Sequence, residues 1–183
     1  MATTALLVID IQRGAFDGVR CPPIDSPERL VRHAGALVAA VRAGQVPVVF
    51  IHHCDEPGQA FEEGTEHWLL HESLVPAAGE TVLKKHASSS FEGTDLDAQL
   101  KARHVSNLVV CGLQSEFCVS NTTRSALQLG YTVQVAEDGH GTWPSNGRGA
   151  EDIRREANTR LAEAGAVLVA TETLARALSA APG

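Results

Sequence analysis

The chain predicts a three-layer αβα fold: a six-stranded, mostly parallel sheet, doubly wound and Rossmann-like, with helices on both faces. Short strand-like apolar runs alternate with amphipathic helical stretches from one end to the other. That alternation places parallel strands beneath covering helices. Runs such as Leu6-Leu7-Val8-Ile9 and Leu108-Val109-Val110-Cys111 are apolar at consecutive positions, the mark of strands covered on both sides. A length of 183 residues with 44% hydrophobic residues supports one core, so residues 1–183 read as a single domain.

The elements follow in order. Residues 5–9 form the first strand. Ser26 and Pro27 supply an N-cap and a proline at the first helical position. Leu30, Ala34, Leu37, Val38 and Val41 then share one helical face, and Gly44 ends that helix. Residues 46–51 and 81–83 are the second and third strands, and 95–103 a short helix carrying Leu96 and Leu100. Residues 107–111 are the fourth strand, and 116–129 a helix closed by Gly130. Residues 131–136 are the fifth strand, 150–164 a helix with Ile153, Ala157 and Leu161 in register, and 166–170 the sixth strand. A last short helix follows.

Composition excludes several function classes. The formal charge is -7 and the pI about 5.6, against the basic face a nucleic-acid partner requires. No apolar run is long enough for a transmembrane helix. The first ten residues lack the basic segment of a signal peptide, which points to the cytoplasm. Cys21, Cys54, Cys111 and Cys118 form no CxxC pair and read as reduced thiols. Phosphate-loop, dinucleotide and Gly-x-Ser-x-Gly signatures are absent.

Three residues suggest chemistry. Cys118 lies just past Gly112, where a buried strand turns into a helix, and the positive end of a helix dipole lowers a thiol pKa there. The plainer reading is a core cysteine. Asp10 ends the first strand, where sites form in parallel sheets; on its own it reads equally as a turn residue. Lys85 ends the third strand, although most lysines are simply solvated. Together they place a nucleophile, an acid or base, and a cation at one sheet edge.

Residues 52–80 form a long irregular stretch, and such loops are usually functional. His52, His53, Asp55, His67 and His71 are its candidate metal ligands; the alternative has them lining the loop edge or an interface. Trp68, Leu69, Leu70 and Leu74 give this loop more apolar surface than solvation favours. A serine hydrolase using Ser88, Ser89 or Ser90 with His86 is a further alternative.

The segments at 6–12 (LLVIDIQ), 85–96 (KHASSSFEGTDL) and 112–133 (GLQSEFCVSNTTRSALQLGYTV) resemble the three blocks of the isochorismatase-like cysteine hydrolases. The resemblance runs from residue 5 to about 174. It implies Asp10, Lys85 and Cys118 as catalytic residues, with Lys85 rather than Lys84 by counting back from Phe91. It also implies a cis bond at Leu113–Gln114 and, with it, an oxyanion hole made by the Gln114 and Cys118 backbone N–H groups. Ser115 stands where the family usually has threonine. The nicotinamidases of this superfamily bind a metal through Asp-x-His after the second strand, but His52-His53-Cys54 stands here, so no metal and no cofactor is expected.

The expected activity is hydrolysis of a C–N bond in a small amide, carbamoyl compound or lactam through a thioester. Gln12, Phe16, Trp68 and Phe117 are the candidate pocket walls. Alternatives are an isochorismatase-type enol ether hydrolase, a metal-containing nicotinamidase, or a scaffold with a redox-sensitive thiol. The resemblance implies a homodimer or homotetramer; neither nucleic acid nor membrane is an expected partner.

Overall fold

A computed structural model describes residues 3–180. Its strands are β1 (Thr3–Ile9), β2 (Val48–His53), β3 (Thr81–Lys85), β4 (Val105–Leu113), β5 (Thr132–Gly141) and β6 (Val167–Val169). They form one six-stranded sheet in the order β3-β2-β1-β4-β5-β6, parallel at every pairing. The helices are α1 (Pro27–Ala43), α2 (Leu96–Ala102), α3 (Ser120–Gln128), α4 (Ala150–Glu163) and α5 (Thr171–Ser179).

Alternation along each strand divides the core in two. Leu6, Val8, Phe50, Val109 and Cys111 pack with Leu30, Leu37 and Val38 of α1 and Leu174 and Leu178 of α5. Ala5, Leu7, Ile9, Val49, Ile51 and Val110 face Leu96 and Leu100 of α2, Ala126 of α3 and Leu161 of α4. The chain winds outward from β1 to β3, then crosses back and winds outward again from β4. The order therefore reverses between β1 and β4, and a crevice opens beyond their carboxyl ends.

Several boundaries differ from the sequence expectation. β2 begins at Val48, two residues late, because Pro47 has no N–H for the ladder, and it continues through His53. β3 extends to Lys85, which pairs in register with His53. β5 runs five residues past Ala136, because after an irregularity its end rejoins β4 at Gly112 and Leu113. The helix expected at 116–129 starts as a π-type turn (Ser115–Val119) before α3. Ser26 takes the N-cap position in a left-handed conformation, but its hydroxyl donates to Asp25 instead of capping α1.

The long loop hides most of its apolar residues. Leu70 and Leu74 are buried and Trp68 is partly covered, leaving Leu69 exposed. No helix among the described residues is long and apolar enough to cross a membrane.

Candidate active site

β1 carries Asp10 to the crevice. The residue adopts a left-handed conformation, φ 52°, which aspartate tolerates better than most side chains. Its N–H stays bonded to Ile51 O at 3.0 Å. β3 delivers Lys85, and because successive side chains alternate, Lys84 faces the other way. Lys84 pairs with Glu63 and lies 5.0 Å above the Trp68 ring. The Lys85 side chain is fully buried, with Nζ 2.8 Å from Asp10 Oδ2 and 3.3 Å from Cys118 Sγ.

Cys118 sits in the π-type turn after β4. The turn follows Gly112, whose φ of +128° and close approach to Ile9 admit no side chain: a Cβ would lie 2.1 Å from Ile9 O. The Leu113–Gln114 bond is cis. Ser115 donates to His140 Nδ1 at 2.8 Å, and His140 Nε2 donates to Asn158 Oδ1 at 2.8 Å. These buried contacts anchor the base of the turn.

Electrostatics at the site differ from the dipole argument. Burial, then the Asp10 charge, pushes the Cys118 thiol up to about 12, and Lys85 only partly opposes them. Burial also raises the Asp10 carboxyl against the pull of Lys85. One buried cation faces two groups that can each become an anion, so the pair retains one proton. In the resting site the thiol is neutral, not a preformed thiolate.

The cavity over the thiol has a volume of about 280 Å³ and is lined by Asp10, Arg20, Cys21, His53, Asp55, Gln59, Ala60, Phe61, Leu113, Gln114, Cys118 and Trp143. The four pocket walls expected from the sequence are not among them. Gln12 is buried, and its amide clamps the His53 backbone, accepting from the N–H at 2.8 Å and donating to the carbonyl at 3.0 Å. Phe16 packs against His71, with ring centroids 4.8 Å apart, beside α1. Trp68 stacks on His52 at 4.4 Å, on the sheet face opposite His53 and Lys85. Phe117 points out of the turn, 53% exposed, toward a separate cleft beside Arg124 and Arg160.

Phe61 and Trp143 supply aromatic walls instead. Phe61 lies in the long loop already marked as functional. Trp143 follows the extension of β5, which the strand pattern does not reveal.

The candidate metal ligands scatter. His67 pairs with Asp17, His71 with Phe16, and His52 with Trp68. His53 and Asp55 reach the site: His53 Nδ1 lies 2.9 Å from Lys85 Nζ, and its Nε2 is 3.0 Å from Asp55 Oδ1. Asp10, His53 and Cys118 do cluster, with ligand atoms all within 4.8 Å of one another. The Lys85 ammonium, however, sits within hydrogen-bond reach of all three and already supplies their cation.

The serine alternative finds no support. His86 faces Cys54 O, Ser89 bonds Ser125 and Ser90 bonds Thr122. Ser88 accepts from Asn121 at 2.8 Å and points its hydroxyl at Cys118 Sγ, 3.8 Å away.

Comparison with known proteins identifies relatives of this chain and of its fold. An Isochorismatase domain model matches residues 4–173. YddQ, an uncharacterized isochorismatase family protein of Bacillus subtilis (strain 168), is 41% identical over 74% of this chain and 76% of its own length. A streptothricin hydrolase of Streptomyces noursei is 37% identical over 76% of this chain, a match that spans 50% of that enzyme. A cysteine hydrolase of Pseudomonas syringae pv. phaseolicola superposes with a TM-score of 0.87 at 25% identity, covering 96% of this chain and 92% of its own. With the family model matched from the first strand into the last helix, the chain belongs to the isochorismatase family of hydrolases.

Proposed function

We propose that the protein is a cysteine hydrolase that cleaves the C–N bond of a small amide, carbamoyl compound or lactam through a thioester on Cys118. The observation that carries this reading is the fully buried Lys85 ammonium, held between Asp10 at 2.8 Å and Cys118 Sγ at 3.3 Å, the two groups that line one cavity. A buried charge is costly unless matched, and a scaffold has no use for this arrangement.

Cys118 Sγ attacks the carbonyl carbon while its proton passes to Asp10. The carbonyl oxygen takes the displaced electron pair and is met by the Gln114 and Cys118 N–H groups. As the C–N bond breaks, Asp10 returns the proton to the leaving nitrogen. Asp10 then draws a proton from water, whose oxygen attacks the thioester; the acid leaves, and the sulfur recovers its proton. Lys85 carries its positive charge throughout and offsets whichever of its two neighbours is anionic.

The cavity of about 280 Å³ suits a small substrate. Streptothricin belongs on the test panel because a 37% identical relative is a streptothricin hydrolase.

Amine or ammonia release is measured over small amides, ureides, lactams and streptothricin, with isochorismate as the enol ether control and with and without EDTA. Turnover of a C–N substrate that is lost in Cys118→Ala and unaffected by EDTA is expected. Undiminished turnover in Cys118→Ala, or activity lost together with a bound stoichiometric metal, contradicts it.

A further inference from the structure

Lys85 has three N–H donors and four acceptors around it: Asp10 Oδ2 at 2.8 Å, His53 Nδ1 at 2.9 Å, Ala87 O at 3.1 Å and Cys118 Sγ at 3.3 Å. The inventory is one proton short. We infer that His53, oriented by Asp55, is a positioning residue that fixes the rotation of the Lys85 ammonium, so that its remaining N–H is shared between Asp10 and Cys118. The inference rests on the cysteine-hydrolase reading and adds a residue to it.

The two ring nitrogens of His53 have distinct partners. Nε2 faces a carboxylate, Asp55 Oδ1 at 3.0 Å, so it carries the proton. Nδ1 is left with a lone pair, which accepts from Lys85. Burial and the neighbouring Lys85 charge lower the pKa of His53 and keep the ring neutral. The His53 backbone is clamped on both sides by the Gln12 amide. His53 and the Ala87 carbonyl thus hold two ammonium protons in fixed directions.

The third proton has a use in both half-reactions. With the thiol neutral, it belongs to the Asp10 carboxylate, whose Oδ1 has no hydrogen-bond partner among the described residues and is open to the thiol proton. When that proton crosses to Asp10, the negative charge moves to sulfur. The shared N–H turns from the carboxylate to the sulfur, both already within reach of Nζ. Such a preset donor avoids reorganisation during the step.

An isosteric pair separates this role from packing. Asn and Leu have the same shape, but only Asn offers an oxygen where Nδ1 stood. On the amide that the wild type turns over, His53→Leu is expected to lose at least tenfold in kcat. His53→Asn is expected to keep most of it, with both variants melting within a few degrees of each other. Asp55→Leu, which frees the tautomer, should lower kcat several-fold more than Asp55→Asn, which still turns an oxygen toward Nε2.

Equal kcat in His53→Leu and His53→Asn overturns the inference. If the histidine variants fail to fold, equal kcat in the two Asp55 variants does so. Cys118→Ala is measured alongside. Its inactivity with equal His53 variants rejects only the positioning role, while its full activity rejects the cysteine reading as well.

Discussion

Lys85 and Lys84 are neighbours in sequence with opposite fates. The Lys85 side chain has no solvent exposure and pairs with Asp10; that of Lys84 is 52% exposed and pairs with Glu63. Lys85→Ala leaves Asp10 and the thiol without their cation and should depress turnover by two or more orders of magnitude. Lys84→Ala removes an exposed ion pair and a contact over the Trp68 ring, and should change turnover less than twofold and the melting temperature only slightly. Steady-state amine release and thermal melting check both. Asp10 allows a sharper test, because its charge raises the thiol pKa. Asp10→Asn should therefore make Cys118 react faster with iodoacetamide at pH 8 while abolishing hydrolysis, since the proton acceptor is gone. Slower alkylation in Asp10→Asn would contradict the electrostatic ordering given for the site.

At the scale of elements, the turn after β4 depends on one glycine. Gly112 needs both its φ of +128° and the absence of a Cβ, which would meet Ile9 O at 2.1 Å. Gly112→Ala should cost about 3 kcal/mol or more and displace Cys118 from Lys85. Urea unfolding and amine release should both show the loss. Gly44 teaches a different lesson. It ends α1 as the sequence suggests, but its φ is -86°. It is required because a Cβ would lie 2.0 Å from Leu178 O of α5, a tertiary contact that no local pattern encodes.

The same division governs what could be read in advance. Apolar runs and helical faces exposed the six strands and five helices, because burial on both sides leaves a local trace. Asp10, Lys85 and Cys118 were legible because each ends or follows such a run. The pocket walls were not. Trp68, expected as a pocket wall, lies in an irregular loop where no periodicity tells which way a side chain points, and it stacks on His52, on the face opposite Lys85. Phe117 was misassigned because a π-type turn, not a regular helix, sets its direction.

For the molecule as a whole, two buried histidines tie stability to pH. Burial lowers His140 to about 4, and burial followed by the Lys84 charge lowers His52 to about 4, from an ordinary value of 6.5. Both stay neutral in the folded protein. The unfolded chain takes up their protons below about 6.5, so falling pH favours unfolding. Their contribution is present above 6.5 and is lost as pH falls toward 4. For the fully buried His140 it is worth on the order of 3 kcal/mol. Urea midpoints should fall from pH 7 to pH 4.5, and His140→Gln should flatten that slope while lowering stability at pH 7. An unchanged slope in His140→Gln would show that this ring is not neutral in the folded state.

Catching the thioester decides whether Cys118 is the nucleophile. Enzyme and a turned-over amide are mixed, quenched in acid at successive times before steady state, and mapped by mass spectrometry. A transient adduct on Cys118 with the mass of the substrate minus its amine is expected. It should be absent from Cys118→Ala, which releases no amine. Wild-type rates of acid and amine release from Cys118→Ala, with no adduct on the wild-type thiol at any quench time, would mean that Cys118 is not the nucleophile.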